Sequence, residues 1–135
     1  MEARAKILAV DDDPDILEAV STVLESQSYQ VVTARDGEEA LTKLEEEKPD
    51  LMILDLLMPK MDGFAVCRAL RNPKWVGRGS VPILILTAVR EEAGRRRYEL
   101  ETGSELSVDD YVEKPISPNI LLRRVENLLK KKKEA

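Results

Sequence analysis

Hydrophobic residues fall along this chain in two alternating rhythms. Short segments dense in apolar residues, at 6–10, 29–34, 51–54 and 81–86, alternate with stretches in which apolar positions return every three or four residues. The first kind predicts strands and the second amphipathic helices. The segment 6–10 stops at Asp11-Asp12-Asp13-Pro14, where Asp13 suits an N-cap and Pro14 the first helical position. Ile16, Val20, Val23 and Leu24 then mark a helix to about Ser26. After the second strand, Asp36-Gly37-Glu38-Glu39 starts a helix with Ala40, Leu41 and Leu44 on its apolar side, ending before Pro49.

The run at 51–54 reads as a strand buried on both faces, and Asp55 is the charge that ends it. Asp62-Gly63 opens a third helix carrying Phe64, Val66, Cys67 and Leu70. Residues 72–80 break the pattern with Pro73, Gly77 and Gly79, a loop in which Trp75 is the one large residue. The fourth strand, 81–86, is rich in Ile and Leu and runs directly into Thr87-Ala88; a fourth helix is expected at about 91–102. Residues 108–112 form the weakest strand, with Asp109 and Asp110 in or beside it, as an edge position tolerates. Ser117-Pro118 caps a last helix whose Leu121, Val125 and Leu128 share one face.

Five strands alternating with five helices over short connections predict an α/β fold: a doubly wound parallel sheet with right-handed crossovers and helices on both faces. At 135 residues the chain is expected to be a single domain, 1–135, with its core at about 5–130 and a lysine-rich tail at 130–135. The carboxyl ends of the first, third, fourth and fifth strands then share one edge, where open parallel sheets place their ligands. Asp11, Asp12, Asp55, Thr87 and Lys114 lie on that edge.

Composition narrows the chemistry. The chain has no histidine, which removes the commonest general base and zinc ligand, so the site must rest on carboxylates, lysine and hydroxyls. Cys67 is the single cysteine and reads as a packing residue. A net charge of -5 argues against nucleic-acid binding by the domain itself. Arg95-Arg96-Arg97 and the lysines at 130–133 read as a solvated helix face and a cation-rich helix end. No apolar run approaches the ~20 residues that span a bilayer, and the first residues lack a signal core. The expected location is therefore cytoplasmic, without membrane association.

Carboxylates converging within ~4 Å repel by roughly 4 kcal/mol per pair at an effective dielectric of 20, so such a site needs a cation or a proton. Oxygen-only ligands suit a hard divalent ion, Mg2+ above all. Lys114 adds a point charge suited to a phosphoryl oxygen, and Thr87 a hydroxyl. Together these groups suit phosphoryl transfer, with Asp55 as a carboxylate nucleophile forming an acyl phosphate. Each residue taken singly has a plainer reading. Residues 11–13 can be cap and turn, Thr87 a β-branched strand end, and Tyr111 the filler of an edge strand.

Four motifs taken together carry a resemblance. Val10-Asp11-Asp12, Leu54-Asp55 with Met58-Pro59-Lys60-Met61-Asp62-Gly63, Leu86-Thr87-Ala88, and Asp110-Tyr111-Val112-Glu113-Lys114-Pro115 resemble the receiver domain of two-component response regulators, in its single-domain, chemotaxis-regulator-like form. The resemblance covers nearly the whole chain. It implies a flavodoxin-like sheet of strand order 2-1-3-4-5 and a phosphorylation-dependent signalling switch rather than an enzyme with a separate substrate. By resemblance, Asp55 accepts a phosphoryl group from the phosphohistidine of a sensor histidine kinase or phosphotransfer protein. Asp11, Asp12, Asp55 and the backbone carbonyl of Leu57 hold Mg2+, Lys114 contacts the phosphoryl group, and Thr87 and Tyr111 act as switch residues. The resemblance also implies a cis bond between Lys114 and Pro115, and an altered surface on the fourth helix, fifth strand and fifth helix that controls an output protein or a relay.

Two departures stand out. Thr87 and Lys114 are 27 positions apart (114 minus 87), a few more than the family usually shows, with the excess at 104–108, and the loop around Trp75 is long. Rival readings explain less. A magnesium phosphatase of the haloacid dehalogenase type would use Asp11 and Asp13, with Asp109-Asp110 later, but Asp15 stands where its motif expects Thr or Val and Asp55 is left without a role. A nucleotide-binding Rossmann module would need a glycine-rich turn after the first strand. An inert protein-binding scaffold would not need a complete acceptor set.

Overall fold

Two strands are buried at every residue, and they lie inside the sheet. The computed structural model describes residues 4–56, 58, 61–70, 81–87 and 109–134. Among these, β3 (Leu51–Asp55) and β4 (Ile83–Thr87) are buried throughout, as continuous apolar strands must be when helices cover both faces. β1 (Lys6–Val10) is buried after its first residue. β2 (Gln30–Ala34) and β5 (Asp110–Glu113) are half exposed and form the two edges. All pairings are parallel, and the order is β2-β1-β3-β4-β5, the doubly wound, flavodoxin-like arrangement.

Helices begin where the side chains can cap them. In α1 (Pro14–Glu25), α2 (Gly37–Glu47) and α3 (Gly63–Ala69), the preceding Asp13, Asp36 and Asp62 each accept a backbone N–H of the first turn. Such caps are each worth ~1 kcal/mol relative to Ala. The last described helix, α4 (Pro118–Glu134), is the fifth of the helices predicted from sequence. The expected helix at 91–102, the loop around Trp75 and the segment 104–108 lie outside the described residues. No described helix is long and apolar enough to cross a membrane.

Strand alternation divides the core in two. Leu8, Val10, Met52, Leu54 and Ile85 face α2 and α3, where Ala40, Leu44, Phe64, Val66 and Cys67 meet them. Ile7, Ala9, Ile53, Leu84 and Leu86 face the other way, against Leu17, Val20 and Leu24 of α1 and Leu121, Val125 and Leu128 of α4. Burying each Leu or Val contributes roughly 1.5–3 kcal/mol. Cys67 is buried in the first layer, as its apolar setting implied.

Two strands start two residues later than expected. β4 starts at Ile83 rather than 81, and β5 at Asp110 rather than 108. Asp109 explains both. Its carboxylate Oδ2 accepts the Ile83 N–H at 2.8 Å while its own N–H donates to the Ile83 carbonyl at 3.0 Å, so a side chain closes the amino edge of the pair.

The end of β3 is crowded at the backbone. The Gly63 N–H donates to the Leu56 carbonyl at 2.9 Å, bringing the start of α3 directly over the strand end. A Cβ at residue 63 would collide with the Asp55 carbonyl oxygen and lie 2.8 Å from the Leu56 Cα, both backbone atoms without a rotamer to change. Gly63→Ala is expected to destabilise the domain by about 2 kcal/mol or more, the scale of core overpacking. Urea denaturation would read this as a lower midpoint at unchanged slope.

Candidate functional site

The carboxyl edge of the sheet gathers acidic groups because β1 and β3 both end there in aspartate. Asp11 extends the β1 ladder by one residue, its N–H donating to the Ala34 carbonyl at 3.1 Å. Its Oδ1 accepts the Asp13 N–H at 3.0 Å, a local turn that orients the carboxylate. Asp55 is the last residue of β3, in register with Leu86 of β4. Asp11 and Asp55 are 1% and 2% exposed, while Asp12 stands at the surface. One carboxylate oxygen from each of the three lies within 4.8 Å of the others.

Lys114 reaches this cluster from the far side. Its N–H donates to the Thr87 carbonyl at 2.8 Å, which carries the pairing of β4 and β5 one residue beyond β5. Its Nζ lies 3.3 Å from Asp55 Oδ1 and 3.4 Å from Asp11 Oδ2. The first contact is a hydrogen bond. The second is a charge contact only, so Asp11 Oδ2 is a buried oxygen that accepts no hydrogen bond. The Lys114–Pro115 bond is cis, as the resemblance implies.

Three carboxylates against one lysine leave two negative charges (-3 + 1 = -2) when all are ionised. Burial pushes Asp11 up from 3.8 to about 6; the Asp13 amide pulls it down, the Asp55 charge adds to the rise, and Lys114 offsets part of it. The donor set therefore fits a divalent cation. It offers oxygens only, carries the charge such an ion neutralises, and presents one buried oxygen without a hydrogen bond. Leu57, the expected carbonyl ligand, lies outside the described residues.

Thr87 is buried at the end of β4, and Tyr111 is half-buried on β5. Both border a hollow of about 560 Å³ that also meets Lys114, Pro115, Ile120 and Arg124. The sequence reading did not single out Arg124. Its Nη1 donates to both oxygens of Asp110, at 2.8 and 3.1 Å, and no motif links two residues that meet from different elements 14 positions apart. Other candidates are engaged elsewhere. Asp13 caps α1 by accepting the Asp15 N–H at 2.9 Å, and Asp109 closes the opposite edge of the sheet. The phosphatase reading thus loses both its acidic pairs.

Asp11 makes stability depend on pH. An unfolded Asp11 loses its proton near 3.8 and the folded one near 6, so folding takes up a proton between those values. The stabilisation from protonated Asp11 is complete below 3.8 and lost as pH rises through 6. The rise corresponds to roughly 3 kcal/mol. Asp11→Asn keeps the acceptor for the Asp13 amide and removes this loss. In divalent-free buffer the variant is expected to be about 2–3 kcal/mol more stable than wild type at pH 7. Urea denaturation across a pH series should show that gap closing below pH 4.

Comparisons with known proteins agree on what this arrangement belongs to. Residues 7–126 match the response regulator receiver domain family. The chain is 46% identical over 126 residues to the alkaline phosphatase synthesis transcriptional regulatory protein PhoP of Bacillus subtilis, covering 93% of this chain and 49% of that protein. It is 38% identical to the DNA-binding response regulator MtrA of Mycolicibacterium smegmatis, covering 97% of this chain and 53% of that one. The chain thus spans about half the length of the curated relatives it matches. Among solved structures, a response regulator from Chloroflexus aurantiacus superposes with a TM-score of 0.77 at 35% identity, over 93% of this chain and 98% of that one. The chemotaxis response regulator CheY4 of Vibrio cholerae gives 0.74 at 31%, over 95% and 99%. With three carboxylates and a lysine meeting where β1, β3 and β5 end, this chain belongs to the response regulator receiver domain family of two-component signalling.

Proposed function

We propose that the domain is a phosphorylation switch in which Asp55 accepts a phosphoryl group from the phosphohistidine of a sensor kinase or phosphotransfer protein. The observation that carries this reading is the meeting of Asp11, Asp12 and Asp55 within 4.8 Å, with Lys114 Nζ 3.3 Å from the Asp55 carboxylate. An Asp55 oxygen bonds to phosphorus as the phosphorus–nitrogen bond of the donor breaks, leaving an acyl phosphate on the strand end. Asp11, Asp12 and Asp55, with the Leu57 carbonyl, would hold Mg2+, whose chemistry when bound is to neutralise charge on the phosphoryl oxygens.

The residues of the chain supply the rest. Lys114 leaves its contact with the carboxylates for a phosphoryl oxygen, a charge-assisted hydrogen bond without a change of strand. Thr87, one strand away and buried, offers its hydroxyl to the same group. Tyr111 shares the hollow beside Thr87, so an inward shift of Thr87 opens room for the ring. The surface bordered by Ile120 and Arg124 then changes, and an output protein or the next member of a relay reads it. Converting a 1:99 population to 99:1 needs ~5.5 kcal/mol, within reach of a few such bonds.

On this reading the domain acts on itself rather than on a separate substrate, and it works in the cytoplasm, where its kinase would meet it. Relatives named as transcriptional regulators are about twice as long as the part matched here. A DNA-binding output is therefore a proposal for a longer protein carrying this domain, and a separate partner is the proposal for the domain alone.

Incubation with acetyl phosphate and magnesium is expected to add one phosphoryl group by intact mass, labile to hydroxylamine and absent in Asp55→Asn. An adduct that persists in Asp55→Asn, or the lack of any adduct with acetyl phosphate and with kinase donors, would sink the reading. Thr87→Ala is expected to accept the phosphoryl group but to lose the accompanying change in Tyr111 amide shifts by NMR. Unaltered Tyr111 shifts in phosphorylated wild type would remove that residue from the switch.

A further inference from the structure

The two halves of the acidic site are tied together by a segment that contributes no chemistry to either. β2 ends at Ala34, whose carbonyl accepts the Asp11 N–H at 3.1 Å. Three residues later the Gly37 N–H donates to the Met61 carbonyl at 2.8 Å, in the connection between Asp55 and α3. Residues 34–37 thus bridge the carboxylates at the end of β1 to the loop that follows the acceptor.

The start of α2 leaves that amide available. Asp36 Oδ1 takes the Glu39 N–H at 2.9 Å and Glu39 Oε2 takes the Arg35 N–H at 3.2 Å, so the first turn is capped from within. Gly37 N–H is one of the amino-terminal donors that no helical carbonyl can satisfy, and it is spent on the acceptor loop. Steric room agrees with the hydrogen bond. A Cβ at residue 37 would collide with the Met61 carbonyl oxygen and lie 2.8 Å from Met61 Cγ and from Val66 Cγ2.

The acceptor loop is therefore held at both ends by glycines on different elements. Gly63 holds it at Leu56, through the local closure of α3, and Gly37 holds it at Met61, from the neighbouring helix on the same face of the sheet. The start of the loop is related to Asp11 by the direct pairing of β3 with β1, and its far end, at Met61, by the segment that runs from the Ala34 carbonyl to Gly37. We infer that Gly37 is a positioning residue for phosphoryl acceptance, fixing Met61, at the far end of the connection that follows Asp55, relative to the end of β1 that carries Asp11 and Asp12. The inference rests on the phosphorylation reading and goes beyond it by assigning a role to the start of α2.

The test compares wild type, Gly37→Ala and Leu44→Ala, the last removing a buried side chain near the far end of α2. Magnesium affinity is followed by amide NMR shifts, and phosphorylation by intact mass with acetyl phosphate, both at temperatures where every variant is folded. Gly37→Ala is expected to weaken magnesium binding and slow phosphorylation by roughly tenfold each, while Leu44→Ala stays within about twofold of wild type. Asp36→Ala, which loosens the same turn without adding atoms, should move both quantities the same way and serves if Gly37→Ala does not fold. Equal values for wild type and the 36 and 37 variants, or an equal loss in Leu44→Ala, would overturn the positioning role while leaving the switch intact. A wild type that takes up neither magnesium nor a phosphoryl group would overturn the switch itself, and the positioning role with it.

Discussion

Mutual repulsion between buried carboxylates is the constraint around which this domain is arranged. Asp11 and Asp55 are nearly inaccessible to water, and Asp12 brings a third carboxylate close to them. A surface cluster of this kind would be screened by solvent and ions, but a buried one must be offset by nearby protein groups. Lys114 supplies part of the offset from just beyond β5, and below about pH 6 a proton on Asp11 supplies another. What remains is an electrostatic demand for a cation. The function follows from leaving that demand incompletely met.

The rest of the chain holds the tension in place. A slip of one residue in β1 or β3 would send every side chain into the opposite apolar layer, whose packing it does not match, so the ends of the two strands stay level. Helices on both faces seal the two apolar layers, and their aspartate caps sit at the carboxyl edge without joining the cluster. Asp13 is the instructive case. It adjoins the two metal-site candidates in sequence, yet its side chain is committed to the first turn of α1.

Most of this was legible in the sequence because it depends on local rules. Apolar runs located the strands, Asp-Pro and Asp-Gly pairs located helix starts, and strand ends located Asp11, Asp55, Thr87 and Lys114 on one edge. The boundary errors at β4 and β5 have one cause, the Asp109 side chain substituting for a ladder bond, and a propensity argument contains no term for such long-range capping. Pairings between elements were equally hidden. Arg124 with Asp110 and Gly37 with Met61 depend on where helices pack, and a glycine needed for close approach looks in sequence like a glycine that merely starts a helix. The protonation of Asp11 was foreseeable only as a general need for a cation or a proton, since its size depends on burial.

The sheet order has a consequence for how the molecule comes into being. Asp55 and Lys114 are 59 residues apart in the chain, and β3, which carries the first, meets β5, which precedes the second, only through β4. A chain folded only as far as β4 would set Asp11 beside Asp55 without Lys114. That arrangement would lack the Lys114 ion pairs and so be less favourable than the complete fold. Contacts of such long range slow folding, and here the last strand is the one that brings the lysine to the carboxylates of the first and third. The ion pairs that Lys114 makes with Asp55 and Asp11 thus also favour the complete sheet over one that lacks β5.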